Sequence, residues 1–188
     1  MRHMRWTSGT LLLASTVSLA AGEKAKTDPK AIRAALAARP LAMYLFAGEA
    51  AGGFVDPGSG ERSDSVRDIR EHIEKCKVVW CKDKQPIIRL VDTREESDIA
   101  VEVMARGHSE TGSERTTTIG NVSETTKDFI YVVTMKIGVG DYSAEVVGKS
   151  GRPGSMAHTW RDAAQDAELQ IVGWIIANYA RLEELRKH

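Results

Sequence analysis

The chain has 188 residues, of which 42% are hydrophobic and 28% are charged, and its 26 basic side chains balance 26 acidic ones. This length and composition fit one globular domain with a hydrophobic core. The balanced charge, without a clustered basic face, excludes a nucleic-acid-binding protein, and no polybasic or strongly amphipathic stretch is present to hold a membrane surface.

Residues 1–22 are typical of a secretory signal peptide. Arg2 and Arg5 precede the apolar run TLLLASTVSLA, and small residues follow it. The run is about half of the roughly 20 residues that span a bilayer, which favours a cleaved signal over a retained anchor. We therefore expect a periplasmic or secreted protein with no membrane span after cleavage. Without the two arginines, 24 basic side chains face 26 acidic ones, a net charge of about −2.

Residues 23–40 are predicted to form a tail and a short helix, and residues 41–188 a single domain. Asp28 suits the N-cap of that helix, Pro29 suits its first position, and Pro40 ends it. The next residues, LAMYLFAG, are a short apolar run bounded by proline and glycine, which predicts a buried strand.

A glycine-rich segment follows this strand, at the place where nucleotide-binding proteins hold phosphate. A P-loop also needs Gly-Lys-Ser/Thr at the start of the next helix. The segment lacks that motif, and Asp56 and Glu61 would repel phosphate. We therefore predict a surface loop and no cofactor. The helix after it is indicated by apolar residues at helical spacing, Val66, Ile69 and Ile73, with Ser65 as its N-cap.

The following segments alternate in the manner of a sheet. Residues 77–81 and 86–92 predict two strands, TREES (93–97) a single helical turn, and residues 98–107 a half-buried strand. Residues 108–128 are rich in serine and threonine and predict a surface connection or a hairpin tip. Residues 129–147 predict two strands around the turn GVGD, in which alternate residues from Tyr131 to Val139 line one face. Glu95, Glu96 and Asp98 are interpreted as a solvated corner.

A last helix is predicted over residues 160–185, with Thr159 as its N-cap and Asp162 completing a capping box. The order of elements predicts an α+β domain. It is a mixed, mainly antiparallel sheet with helices packed mostly on one face and a long C-terminal helix.

Two cysteines, Cys76 and Cys81, leave three alternatives open. In an oxidising compartment they can form a disulfide, and they can equally be free and mostly buried thiols. The third alternative is a metal site, because His72 lies one helical turn before Cys76, with His108 or His158 as a distant fourth ligand. No serine or cysteine nucleophile stands in a recognised catalytic motif, so we name no catalytic residue.

Three phrases, GFVDP with SDSVRDIREHI, RLVDTREESDIAVEV and WRDAAQDAELQIVGWI, resemble small exported bacterial proteins of unassigned function. The second phrase also resembles periplasmic α/β sandwich domains, such as the N-terminal domain of the Tol-Pal β-propeller protein and curli-secretion-type lipoproteins. The resemblance implies a binding or assembly module in the cell envelope, with another envelope protein as its partner. The lipobox cysteine of the lipoproteins is absent.

Two functional hypotheses follow. The first is an exported, non-enzymatic envelope protein that binds another component through its exposed loops or a free sheet edge. The alternative is a small metal-binding or hydrolytic protein that uses His72, Cys76 and Cys81. The sequence does not indicate the oligomeric state.

Overall fold

A computed structural model describes residues 28–48, 58–75, 86–151 and 159–186. These residues form four helices and one five-stranded mixed sheet, and the predicted α+β class is confirmed. The helices are α1 (Pro29–Ala38), α2 (Ser59–Lys75), α3 (Trp160–Ala177) and α4 (Tyr179–Leu185). The strands are β1 (Leu41–Ala47), β2 (Ile88–Val91), β3 (Ile99–Ile119), β4 (Val122–Val139) and β5 (Tyr142–Lys149). The strand predicted over residues 77–81 lies outside the described residues.

The first helix has the boundaries and the cap that its sequence predicts. The Oδ1 atom of Asp28 accepts a hydrogen bond from the Lys30 amide at 3.0 Å, and Pro29 occupies the first turn. Ile32 and Leu36 are buried, so α1 packs firmly against the core.

The second helix begins earlier than predicted. It starts at Ser59, and Ser65 lies inside it, where its hydroxyl donates to the Glu61 carbonyl one turn back. The prediction of Ser65 as the N-cap was therefore wrong, because the helix begins six residues earlier and the Ser65 hydroxyl donates to a carbonyl of the preceding turn instead of accepting from a free amide. The predicted apolar stripe is correct, with Ile69 and Ile73 buried.

The strand order is β2-β1-β3-β4-β5. The β1 strand pairs in parallel with β2 and β3, and the longer β3–β4 and β4–β5 ladders are antiparallel. Both hairpins turn through two residues, with Gly120 (φ 62°) and Gly140 (φ 53°) in the left-handed region that glycine adopts without steric cost. Residues 108–128 thus form a hairpin, the second of the two predicted alternatives.

One face of the sheet carries the hydrophobic core. Alternate strand residues are fully buried there with side chains of α1, α2 and α3: Leu41, Met43, Val101, Val103, Met135 and Ile137. At Gly148 of β5 an added Cβ would lie 2.6 Å from the Ala163 carbonyl oxygen and the Ala167 Cβ. The helix α3 therefore rests directly on the β5 backbone. On the other face a charged row crosses three strands, with Glu102 opposite Lys136 and Lys136 opposite Glu145.

The connection between β2 and β3 corrects two predictions. Residues 93–97 form no helix; the Ser97 amide and hydroxyl both bond to the Arg94 carbonyl and close a turn. Asp98 is not a solvated acid, because its Oδ2 accepts from the Ala42 amide at 2.8 Å and its Oδ1 lies 3.2 Å from Arg186 Nε. This carboxylate connects the start of β1 to the end of α4.

The predicted long C-terminal helix is interrupted. The capping box of Thr159 and Asp162 is present, but α3 ends at Ala177 and the last helix, α4, has only seven residues. At Asn178 the side-chain amide donates to the Trp174 carbonyl at 2.8 Å. The Asn178 backbone amide donates to the same carbonyl at 3.0 Å, so the Asn178 side chain folds back onto the last turn of α3, and the backbone leaves the helical conformation there (φ −110°, ψ 12°).

Candidate functional site

The β3–β4 hairpin extends beyond both of its neighbouring strands. The β1 ladder on β3 stops at Val103, where the Gly48 amide donates to the Val103 carbonyl. The β5 ladder on β4 stops at Val132, and Ser150 closes it by bonding to Tyr131. We call residues 109–130 the arm. Within the described chain the arm is a two-stranded ribbon without a third strand.

Polar cross-strand contacts hold the arm together near its tip. The hydroxyl groups of Thr116 and Thr125 are 3.0 Å apart, and those of Thr118 and Ser123 are 2.9 Å apart. Such pairs contribute about 0.2–1 kcal/mol each. Isolated two-stranded hairpins are only marginally stable in water, so the arm depends on what holds it at its base.

An aromatic cluster holds the base of the arm. It consists of His108, Phe129, Tyr131 and Trp160. The His108 ring lies 4.9 Å from Tyr131, 5.2 Å from Phe129 and 5.4 Å from Trp160, measured between ring centroids. Trp160 is the first residue of α3, and its ring lies 4.4 Å from Tyr131. The cluster therefore joins the arm to the helical layer.

Arg106 connects the same base to α2. Its guanidinium carbon lies 3.8 Å from the centre of the Trp160 ring, which is a cation–π contact. One of its nitrogens donates to the Glu61 carbonyl at 3.3 Å and lies 3.9 Å from the Asp64 carboxylate. Arg106 thus stabilises the junction of β3, α2 and α3.

The arm exposes apolar side chains both at its base and beside its tip. Phe129 is 49% exposed and Val122, beside the tip, is 71% exposed. Both belong to β4, so the exposed apolar side chains lie at the two ends of the free segment of that strand. Single exposed apolar side chains are common on protein surfaces, so it is the projection of the arm, together with these two side chains, that marks it as a candidate contact surface.

The carboxyl end of β1, where the glycine-rich segment begins, is a structural junction. The Gly48 carbonyl accepts a hydrogen bond from Arg62 Nε at 2.8 Å, and Arg62 is buried. A Cβ at Gly48 would lie 2.5 Å from a carboxylate oxygen of Glu102, so glycine leaves room for that side chain. The loop after Gly48, residues 49–57, lies outside the described residues.

The predicted metal set falls largely outside the described chain. His72 is buried in the last turn of α2, with 5% exposure. Cys76, Cys81 and His158 lie outside the described residues, so neither the disulfide nor the metal alternative is tested. His108 lies in the aromatic cluster. Within the described ranges no three His, Cys, Asp or Glu side chains are grouped to hold a metal ion.

Glu168 is a buried carboxylate that the sequence analysis missed. It is 5% exposed on α3, and its Oε2 atom has no hydrogen-bond partner in the described part of the chain. Burial raises the pKa of Glu168 from 4.5 to about 7. Its spacing was a usable signal, because Glu168 lies four residues after Ala164 and three before Ile171, on the buried stripe.

The comparisons with protein-family models and with curated sequences identify no relative. No protein-family model matches the chain, and no curated protein sequence is significantly similar to it. Across the four described ranges, no helix combines the length and the apolar character needed to cross a membrane.

Proposed function

We propose that this chain is an exported, non-enzymatic envelope protein that binds or assembles with another envelope protein through the arm. The observation that carries the proposal is the projection of the arm past both neighbouring strands with exposed apolar side chains at Val122 and Phe129. Burial of such side chains in a complex is favourable, at about 25 cal/mol per Å² of apolar surface.

Export is inferred from residues 1–22, whose charged start and apolar run are typical of a signal peptide. The resemblance to periplasmic binding modules supports the same location. Detection of the chain in the periplasm or the medium, together with N-terminal sequencing of the mature protein, tests this part. Recovery of an uncleaved chain in the cytoplasm would contradict it.

Partner capture tests the role of the arm. The tagged chain is expressed in its source cell, and a second version has residues 110–129 replaced by a Gly-Asn turn. The shortened chain is expected to lose the captured partner, because the exposed segment is gone, while circular dichroism shows that its helices persist. A matched control, Glu95→Ala in the exposed turn after β2, is expected to keep the partner. Equal capture by the shortened chain would refute the proposal.

The metal-binding or hydrolytic alternative rests on His72, which is buried one helical turn before Cys76. Elemental analysis of the purified chain, combined with thiol counting after denaturation, separates it from the first hypothesis. Stoichiometric zinc would favour the alternative, and two oxidised cysteines without metal would exclude it.

A further inference from the structure

The two edges of the arm differ in regularity. Both irregularities of the β3–β4 ladder place extra residues on β3: one lies before the arm, between Val103 and Ala105, and one lies within it, between Glu110 and Glu114. Bulges of this kind protect an edge against strand addition. The β4 edge has no such irregularity from Val122 to the end of the arm, so only this edge offers a regular template.

The hydrogen bonds at the base of the arm show which peptide groups of the β4 edge have no partner in the part of the chain that the structure describes. The Tyr131 amide donates to Ser150 Oγ, and the Tyr131 carbonyl accepts from the Ser150 amide, both at 2.9 Å. The Asp128 carbonyl points the other way, toward β3, since it accepts from Thr111 Oγ1 at 3.1 Å. Peptide groups along a strand alternate in direction. Those that point outward from the arm therefore belong to Ser123, Thr125, Lys127 and Phe129.

The two faces of the arm differ in charge along the β4 edge. Lys127 is neutralised by Glu110, whose carboxylate lies 2.9 Å away. On the opposite face Glu124 and Asp128 have no ion-pair partner within the described chain. They are four residues apart, so both side chains point to the same side of the ribbon. A strand added here meets two carboxylates on this face.

We propose that the β4 edge of the arm accepts an extended, basic segment of another polypeptide as a third strand. The segment carries Lys or Arg at two positions four residues apart, opposite Glu124 and Asp128, and its main chain bonds to the four outward peptide groups. The proposal rests on the proposed function and specifies the chemistry of the partner. Addition of a third strand also relieves the marginal stability of a two-stranded ribbon.

A peptide titration of the full-length chain tests the proposal. The probe is an acetylated and amidated peptide, TKVTVKT, and the matched control is TEVTVET. We expect the basic peptide to bind about tenfold more tightly, as two favourable cross-strand charge pairs predict. Amide exchange measured by NMR is expected to slow at Ser123, Thr125, Lys127 and Phe129. Equal binding of both peptides, no binding at millimolar concentration, or slowed exchange on β3 instead would refute the proposal.

Two variants separate edge pairing from charge attraction. Thr125→Pro removes one outward amide and is expected to weaken peptide binding at least about tenfold, whereas Thr125→Ser keeps the amide, the hydroxyl opposite Thr116 and the affinity. The double variant Glu124→Gln, Asp128→Asn leaves the main chain intact and is expected to abolish the preference for the basic peptide. Binding that survives Thr125→Pro, or a preference that survives the double variant, would contradict the model of an added strand.

The outcomes distinguish this inference from the proposed function. One outcome is that the shortened chain loses the native partner while the full-length chain does not bind the basic peptide. In that case the arm contacts its partner by some other means than an added strand, and only the proposal of strand addition is wrong. If the shortened arm keeps its partner, the proposed function is wrong. Amide exchange at the β4 edge could also slow without peptide, and more so at higher protein concentration. That result would identify a second copy of this chain as the occupant and would refute the proposal of a basic segment.

Discussion

The substitution Glu168→Gln gives the sharpest test of the core of this protein. Glu168 is 5% exposed, its Oε2 has no partner in the described residues, and burial raises its pKa from 4.5 to about 7. Since one pH unit corresponds to about 1.36 kcal/mol, ionisation of the buried carboxyl costs about 3 kcal/mol. Glutamine has nearly the same shape and carries no charge at any pH.

The sign of the pH dependence follows from the protons bound in each state. Between about pH 4.5 and pH 7 the folded protein keeps the Glu168 proton, whereas the unfolded chain has lost it. The free energy of unfolding therefore falls as the pH rises through this window and is constant for this group above it. Relative to Glu168→Gln, the unaltered chain is expected to lose about 2.5 kcal/mol between pH 5 and pH 8.

Urea denaturation at several pH values between 5 and 8, followed by circular dichroism, measures this difference. Other groups titrate in both proteins, so the comparison isolates Glu168. The control is Glu184→Gln, the same chemical change at an exposed position of α4, which is expected to keep the pH dependence of the unaltered chain. If the free energy of unfolding changes by the same amount in Glu168→Gln and in the unaltered chain between pH 5 and pH 8, within about 0.5 kcal/mol, the carboxyl is not held in a desolvated site and the reasoning fails.

Three further substitutions test the packing of α3. Gly148→Ala is expected to lower the free energy of unfolding by about 1–3 kcal/mol in urea denaturation, because its Cβ meets Ala163 and Ala167. The control Gly107→Ala places its Cβ in open space, and equal effects of the two substitutions would contradict the close approach of α3 to β5. Asp162→Ala removes half of the capping box and is expected to lower the free energy of unfolding by about 1 kcal/mol, and an unchanged value would argue against the cap. Trp160→Ala is expected to accelerate amide exchange across the arm, and unchanged exchange would show that the aromatic cluster does not anchor it.

Much of the local structure was predictable because it depends on neighbours in the chain. The cap at Asp28, the box at Thr159 and the two-residue turn at Gly140 are local hydrogen-bonding or backbone effects. The break at Asn178 is also local, but it was missed, because an asparagine inside an otherwise helical pattern does not by itself require a break.

The candidate site was predictable only in part. The sequence indicated a polar, exposed segment at residues 108–128 and left a connection and a hairpin as alternatives. The aromatic cluster joins His108 and Phe129 to Trp160, which lies far away in sequence, so its assembly depends on the contact between β3 and α3. The role of Asp98 depends in the same way on the distant Ala42 and Arg186.

The α+β class, the boundaries of α1, the buried strand β1 and the alternation that buries one face of β3 and β4 could be predicted from local sequence, since periodicity and capping are encoded locally. Which strands end early and which continue depends on contacts between distant segments. Within the described residues, the arm exists because the β1 and β5 ladders stop while β3 and β4 continue, and the unpaired β4 edge there follows from that difference in strand length. Pairing between distant segments sets this difference, and no local pattern reports it.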